Sequence, residues 1–253
     1  MSVVFVHSTG TGPFMWDSIP DEVVPSAERL TPANLGYPPL APLPRGKSVT
    51  VHDDVAHLLA QLPAEGRFDF VAHSYGGLVA IKAAQQLGAR VRSMFLVEPV
   101  MFGAIARDPQ ADAAAKQQFD EFGATSWFLD DEGKGGTEPW LELFIDYWNR
   151  PGSWQRLPEL MRHHNLEMGW KMFNEVRSVF RDSGSYEDNA LPGAPVTLVV
   201  GERSPVGSRE VIRALSARTP HARVVQLAGT GHMAPLTHPA KVAEALAAHL
   251  QGI

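Results

Sequence analysis

Short, mostly apolar runs recur along the chain, and each ends at a cluster of glycine, histidine, serine or glutamate. The runs cover residues 3–6, 68–72, 94–97, 196–200 and 224–227. A continuous apolar run bounded by turn residues is typical of a strand that is buried on both faces of a sheet. The pattern therefore predicts one buried strand at each of these places.

Helical spacing of apolar residues separates the predicted strands. Segments 51–62, 78–87 and 242–250 carry their apolar side chains at this spacing, and Gly88 stands where a helix C-cap is expected. Strands that alternate with helices indicate βαβ units with right-handed crossovers. We therefore predict an α/β fold with a mainly parallel, doubly wound sheet and a functional site at the carboxyl ends of its strands.

The segment 101–190 departs from this alternation, and it contains 14 of the 22 aromatic residues of the chain. Within it, Pro139 precedes a repeat of Trp140, Phe144 and Trp148 at helical spacing, which predicts a helix. The segment is too long for a structureless loop, so we expect a helical insertion, or cap, over the strand ends. The predicted domains are a core of residues 1–100 and 191–253 and a cap of residues 101–190.

Composition and charge narrow the class of protein. The chain has 253 residues, is 44% hydrophobic and 20% charged, and carries a net charge of −6, an ordinary globular balance. The negative charge argues against a nucleic-acid or membrane partner, because anionic partners bind basic surfaces. The absence of cysteine excludes disulfides, thiolate metal sites and a cysteine nucleophile. With no long apolar run and no signal-peptide pattern at its start, we expect a cytoplasmic protein, either a monomer or a homodimer.

Ser74 lies between the strand predicted at 68–72 and the helix that follows it. A nucleophilic serine at such a turn needs small neighbours, because the backbone is strained and crowded there, and the usual pattern is G-x-S-x-G. Here the segment reads Ala72-His73-Ser74-Tyr75-Gly76, with alanine at the first glycine position. From the pentapeptide alone, Ser74 is either a nucleophile or a serine in an ordinary βα turn.

His232 follows the last predicted strand, in the segment Gly229-Thr230-Gly231-His232. Glycines before a histidine at a strand end let the loop curl so that the ring can reach a serine at the same edge of the sheet. A surface histidine is the alternative, but His232 has the chain position that a catalytic base requires. His7 and His73 flank the site and are interpreted as structural. The sequence assigns no metal site and no cofactor.

The glycine-rich segment 7–16 follows the first predicted strand. Such a loop can direct a backbone N–H at a developing oxyanion, and the N–H of Tyr75 at a helix N-terminus would be a second donor. The alternative is a phosphate-binding loop. It is disfavoured because the glycine spacing matches neither G-x-G-x-x-G nor a Walker pattern.

Taken together, these motifs resemble the α/β-hydrolase family. The resemblance covers almost the whole chain and follows the family's order of oxyanion loop, nucleophile turn, cap insertion and late histidine. It implies the family fold and a triad in the chain order serine, acid, histidine. The family usually opens with an antiparallel hairpin, which is missing before the first strand predicted here. We therefore expect a sheet that is shorter by about two strands.

The acid is the point at which the chain departs from the family. The common pattern places an aspartate three residues after the glycine that ends the penultimate strand, and Ser204 occupies that position. In the haloalkane dehalogenase branch, the acid is instead a glutamate at the end of the strand after the nucleophile helix. Glu98 is similar in position, so we expect Glu98 to be the acid. Glu202 is the alternative acid, and an ion pair with Arg90 or Arg92 is the alternative role for Glu98.

The same branch has an oxyanion loop similar in length to segment 7–16, with Thr9 at the position that donates its N–H. That branch uses an aspartate nucleophile, so Ser74 argues against dehalogenation. Large aromatic side chains of the cap suit an apolar substrate, and Phe102, Trp127 and Trp148 are the expected contacts.

These observations predict a serine hydrolase that cleaves a small, largely apolar carboxylic ester through an acyl-enzyme. The expected catalytic residues are Ser74, His232 and Glu98, with Thr9 and Tyr75 as backbone oxyanion donors. C–C bond hydrolysis, hydroxynitrile cleavage and cofactor-free oxygenation are alternative reactions for the same site, because the fold does not choose between them. A non-catalytic relative that binds a small molecule is the remaining alternative.

Overall fold

A six-stranded sheet forms the centre of the computed structural model, which describes residues 1–24 and 27–253. The strand order is β2-β1-β3-β4-β5-β6, and every neighbouring pair is parallel. The strands are β1 (Ser2–Val6), β2 (Glu28–Leu30), β3 (Phe68–His73), β4 (Val91–Val97), β5 (Val196–Gly201) and β6 (Arg223–Leu227). The predicted α/β class with a parallel sheet is confirmed.

Helices alternate with the strands and also fill the long segment between β4 and β5. They are α1 (Val51–Gln61), α2 (Tyr75–Leu87), α3 (Phe102–Arg107), α4 (Ala113–Ala124), α5 (Ser126–Asp130), α6 (Glu138–Trp148), α7 (Ser153–Arg156), α8 (Glu159–Arg181), α9 (Val206–Arg218), α10 (Ala234–Thr237) and α11 (Pro239–Leu250). Short 3₁₀ helices cover Pro13–Trp16, Asp21–Val23 and Gly88–Arg90. Within the described ranges, none of the helices has the length and apolar character needed to cross a membrane.

The strands bury side chains on both faces of the sheet. On one face, Val4 and Leu96 pack in a core shared with α1, α2 and α9. On the other face, Phe5, Phe95 and Leu246 of α11 belong to a second core. Because helices cover both faces, the sheet is doubly wound, as predicted, and the loops at the carboxyl ends of the strands are left to form a site.

The two edge strands differ from the prediction. The strand β2 lies at an edge of the sheet and does not contain an apolar run. Two of its three residues, Glu28–Leu30, are charged, so the apolar pattern did not predict it. At the opposite edge, β6 was expected to be buried, but 46% of the Val224 surface is exposed. An edge strand has a neighbour on one side only, so it needs less apolar surface than a central strand.

The segment predicted as the cap contains the helices α3 to α8. Stacked aromatic rings join α5 to α6, with the centroids of Phe128 and Trp140 5.0 Å apart. Within α6, the Trp140 ring also stacks on Phe144, with centroids 5.3 Å apart. The helix α8 also reaches the core, because Lys171 contacts Asp54 of α1. The last helix of this segment is therefore joined to α1 by the side chain of Lys171.

Candidate active site

Ser74 occupies the sharp turn between β3 and α2. Its φ of 54° and ψ of −121° lie in a region that residues other than glycine rarely adopt. Two backbone hydrogen bonds fix the turn, since the Ser74 N–H donates to the Val97 carbonyl at 3.0 Å and the Ser74 carbonyl accepts the Gly77 N–H at 2.9 Å. The strained conformation is thus held by the strand and helix on either side.

Gly76 and Gly77 permit the close approach of α2 to the sheet. A Cβ atom at position 76 would lie 2.4 Å from the His7 carbonyl oxygen, and one at position 77 would lie 2.6 Å from the Pro99 Cβ. No side chain fits at these distances. Ala72, which replaces the first glycine of the usual pattern, is accommodated in the buried strand β3.

His232 joins Ser74 and Glu98 in one hydrogen-bonded chain. Its Nε2 lies 3.0 Å from the Ser74 Oγ, and its Nδ1 lies 2.7 Å from the Glu98 Oε2. A proton on Nδ1 is donated to the carboxylate, which leaves Nε2 free to accept the serine proton. All three residues are buried, with at most 5% of their surface exposed. The arrangement gives the serine a base and gives the base a carboxylate that orients it.

Glu98 is held at the end of β4 by further donors. Its Oε1 accepts the Gly201 N–H at 2.8 Å and the Ser204 hydroxyl at 2.5 Å. Burial raises the pKa of Glu98, but the hydrogen bonds from His232, Ser204 and Gly201 outweigh burial and hold this pKa below its ordinary value. Ser204, at the position where the family pattern places its acid, therefore donates a hydrogen bond to the Glu98 carboxylate.

The alternatives for the acid occupy other positions. Glu202 is exposed, and its Oε2 accepts the Gly229 N–H at 2.6 Å, in the loop that carries His232. Arg92 pairs with Asp69, and Arg90 donates to backbone carbonyls between α1 and β3. Both arginines are thus engaged away from Glu98.

Two buried histidines next to the site support its backbone. The His73 Nε2–H donates to the His232 carbonyl at 2.9 Å, and His7 donates from Nδ1 to the Ser8 carbonyl while its Nε2 accepts the Asn34 N–H. Burial lowers the pKa of His73 to about 3 and that of His7 to about 4. Both rings are therefore neutral at neutral pH and hold loops in place.

The residues expected to donate to an oxyanion are anchored through hydroxyl groups. Tyr75 is the first residue of α2, where a backbone N–H has no partner within the helix. Its hydroxyl donates to the Asp54 Oδ2 at 2.6 Å. Next to Thr9, the Gly10 N–H donates to the Tyr37 hydroxyl at 2.9 Å, and that hydroxyl donates to Glu175 at 2.8 Å.

Lys171 of α8 lies between the two carboxylates of this network. Its Nζ is 2.5 Å from the Asp54 Oδ2 and 2.8 Å from the Glu175 Oε1, and all three side chains are fully buried. Burial lowers the pKa of Lys171, but the charges of Glu175 and Asp54 raise it above its ordinary value. Burial raises the pKa of Glu175 in spite of Lys171. Sequence patterns gave no sign of this cluster, because Lys171 and Asp54 are 117 residues apart.

Two cavities meet at Ser74, and Thr9 lines both of them. The smaller has a volume of about 30 Å³ and is lined mainly by aromatic and β-branched side chains. The wider has a volume of about 220 Å³ and includes His232 in its lining, together with polar residues such as Asn165. An open groove of about 700 Å³ continues outward from His232.

The cap residues expected to touch a ligand are only partly at these cavities. Phe102 and Trp148 line the smaller cavity, and Trp148 also stacks on the His232 ring with centroids 3.9 Å apart. Trp127 is absent from the lining of both cavities, and its ring packs beside Phe128 with the Lys134 Nζ 5.5 Å away. The position of Trp127 thus argues against the predicted ligand contact. The sequence did not indicate five further aromatic lining residues, Phe122, Phe128, Phe144, Tyr147 and Phe180.

Comparison with known proteins agrees with this architecture. An esterase from Thermogutta terrifontis is 20% identical with a TM-score of 0.70, and the alignment covers 100% of this chain and 90% of the other. For a hydrolase from Pseudomonas aeruginosa PA01 the identity is 18%, the TM-score 0.70 and the coverage 98% and 89%. A hydrolase from Oleispira antarctica is 14% identical with a TM-score of 0.73, and the alignment covers 100% of this chain and 91% of the other. At these identities the likeness concerns the fold.

No curated protein sequence matches the chain. The sequence model described as the alpha/beta hydrolase family matches residues 3–245, which is nearly the whole chain. This chain therefore belongs to the alpha/beta hydrolase family.

Proposed function

We propose that this protein is a serine hydrolase that cleaves a small, largely apolar carboxylic ester through an acyl-enzyme. The observation that carries the proposal is the chain from the Ser74 Oγ to the His232 Nε2, at 3.0 Å, and from the His232 Nδ1 to Glu98, at 2.7 Å. Family membership supports a hydrolase, and the apolar lining of the smaller cavity supports an apolar substrate.

The acylation step begins at the strained turn. The His232 Nε2 takes the proton of the Ser74 hydroxyl while the Oγ forms a bond with the ester carbonyl carbon. The N–H groups of Thr9 and Tyr75 hold the oxyanion, and the Glu98 carboxylate stabilises the protonated imidazole. The tetrahedral intermediate then collapses, and the departing alcohol takes the proton from Nε2.

Deacylation uses the same groups in reverse. Water gives a proton to the His232 Nε2 and attacks the acyl carbon on Ser74, and the proton returns to the Ser74 Oγ as the acid leaves. The Trp148 ring stacks on one face of the imidazole and so restricts the orientation of the ring that takes part in both steps.

The test combines turnover with covalent labelling. We expect the protein to hydrolyse p-nitrophenyl acetate and to form one fluorophosphonate adduct at Ser74 by intact mass and peptide mapping. Ser74→Ala removes the nucleophile and should abolish both, whereas Ser208→Ala, at a buried serine of α9, should retain both. An adduct at another residue, or the absence of any adduct, would contradict the assignment of Ser74.

Labelling without ester hydrolysis would point elsewhere. In that case Ser74 is a competent nucleophile but the ester proposal is wrong, and C–C bond hydrolysis, hydroxynitrile cleavage or cofactor-free oxygenation becomes the function to test. If the folded, unsubstituted protein showed neither labelling nor turnover, the result would favour a non-catalytic relative that binds a small molecule.

A further inference from the structure

The two cavities at Ser74 differ in their relation to His232. Ser74 and Thr9 line both cavities, but His232 lines only the wider one. Phe144 and Trp148 also line both cavities, so their rings lie where the two cavities adjoin. An ester bound at Ser74 therefore has two separate spaces for its two halves, and they meet at the reacting carbon.

Proton transfer decides which half occupies which space. The oxygen of the departing alcohol must receive its proton from the His232 Nε2, so the alcohol has to lie on the side of His232. Water attacks later with help from the same nitrogen and must approach from that side as well. The acyl group stays bonded to Ser74 through both steps, so it occupies the cavity that His232 does not line.

The volumes then set the size of each half. A cavity volume of about 10–15 Å³ is enough to hold one water molecule. The volume of about 30 Å³ beside Ser74 therefore suits an acyl group of two or three carbons, whereas the volume of about 220 Å³ on the other side accepts a much larger alcohol.

Interlocked rings make the smaller cavity resistant to expansion. The Phe122 ring contacts the rings of Tyr147 and Phe128, with centroids 4.3 Å and 5.1 Å apart, and the Tyr147 hydroxyl donates to Gln118 at 2.9 Å. Closely packed side chains of this kind do not move aside without a loss of contacts. A longer acyl chain must displace them.

We infer that this protein prefers esters of short acids with larger, apolar alcohols, the acyl group lying in the smaller cavity and the alcohol in the wider one. This inference rests on the proposed function. The same aromatic lining excludes a charged acyl group, because a charge there would lose its water without gaining a partner. The alcohol side includes polar side chains, among them Asn149 and Asn165, and accepts alcohols that carry a hydroxyl or an ether oxygen.

Two isomeric esters test the inference directly. Hexyl acetate and ethyl hexanoate have the same atoms and nearly the same hydrophobicity, but their long and short halves are exchanged. We expect kcat/KM to be at least about tenfold higher for hexyl acetate, since a pocket that is too small by even one methylene discriminates by that order. Equal values, or a preference for ethyl hexanoate, would overturn the assignment of the cavities. If the protein hydrolysed neither ester, that result would contradict the proposed function itself.

Variants at the two cavities test selectivity for the acyl group and for the alcohol separately. Phe122→Ala enlarges only the smaller cavity and should raise kcat/KM for ethyl hexanoate relative to hexyl acetate at least about tenfold. Val176→Ala, a milder change in the same lining, should shift the ratio in the same direction if Phe122→Ala does not fold. Leu157→Ala enlarges the wider cavity and is the matched control. It is compared on ethyl acetate and ethyl hexanoate, which share one alcohol, and should leave the ratio of their kcat/KM values unchanged. A shift of that ratio with Leu157→Ala, or no shift with either variant of the smaller cavity, would contradict the inference.

Discussion

Two glutamates near His232 differ in what they hold. Glu98 is fully buried and contacts the ring, the Gly201 N–H and the Ser204 hydroxyl, whereas Glu202 is exposed and contacts the backbone of the next loop. A buried carboxylate at 2.7 Å from Nδ1 can both orient the imidazole and balance its charge. An exposed one in contact with a backbone N–H can only stabilise the loop.

Substitution of each glutamate by glutamine separates the two roles. Glu98→Gln keeps the size of the side chain but removes the charge, so we expect kcat to fall by about 10³ to 10⁴, as in other triads. Glu202→Gln should lower kcat less than about tenfold, since one exposed hydrogen bond contributes about 1 kcal/mol. Both variants are measured on one ester at fixed pH, with folding checked by circular dichroism. Loss of activity in Glu202→Gln with normal turnover in Glu98→Gln would place the acid on the penultimate strand.

Strand-end positions made the three hydrogen-bonded residues predictable from the sequence. Ser74, Glu98 and His232 each follow a predicted strand, and parallel strands bring their carboxyl ends to one edge. The role of Ser204 was not predictable, because its partner depends on how two loops meet. Trp127 could not be told from the lining residues either, since aromatic content says which segment is apolar but not which ring faces a cavity.

At the scale of elements, α8, in the segment expected to form a cap, is joined to α1 through Lys171. This lysine joins Asp54 of α1 and Glu175 of α8, and through them the hydroxyls of Tyr75 and Tyr37. Those tyrosines anchor the first turn of α2 and the Gly10 backbone, next to the expected oxyanion donors. A change in α8 therefore affects the site through two separate hydrogen-bonded routes.

Removal of this lysine should lower the stability of the folded protein. Lys171→Met leaves two carboxylates buried without a cation, and we expect the free energy of unfolding to fall by about 3–5 kcal/mol. The measurement is equilibrium unfolding in urea. In the double variant Lys171→Met/Glu175→Gln one of the uncompensated charges is also removed, so part of the loss should be recovered. Strictly additive effects of the two substitutions would show that Lys171 does not act through Glu175.

The central strands were predictable because they are buried on both faces and read as apolar runs. β1, β3, β4 and β5 meet this condition, whereas β2 is short, charged and at an edge. The contact of α8 with the core was not predictable, because its polar partners are distant in the sequence. Local patterns identify an element, but they do not show which polar side chains of two elements meet.

For the whole molecule, three buried histidines link stability to pH. Burial lowers the pKa of His7 to about 4, of His73 to about 3 and of His249 to about 4. His249 lies far along the chain from the site residues of β3, and its ring contacts the hydroxyls of Thr197 and Ser93 at 2.8 Å and 3.0 Å. Each ring is neutral when folded, whereas an unfolded histidine gains a proton near pH 6.5.

The sign of the pH effect follows from this difference. Below about pH 6.5 the unfolded chain binds more protons, so stability is complete above that pH and declines as the pH falls towards about 4. Each histidine contributes about 1.4 kcal/mol per pH unit in this window. We expect His249→Gln to reduce the slope of unfolding free energy against pH by about this amount, as measured in urea from pH 4.5 to 7. The same substitution at the exposed His221 is the control, and equal slopes for all three proteins would contradict the prediction.

In the proposed mechanism, the wider cavity has a consequence for the products. Its volume of about 220 Å³ is then open beside the acyl-enzyme once the first alcohol has left, and the His232 Nε2 that lines it can take a proton from a second alcohol as well as from water. An alcohol that binds there has a high effective concentration next to the acyl carbon. With p-nitrophenyl acetate and added 1-hexanol, we expect hexyl acetate to accumulate in water, and its share of the product to exceed that obtained with equimolar ethanol. The same catalytic residues would then make esters as well as cleave them.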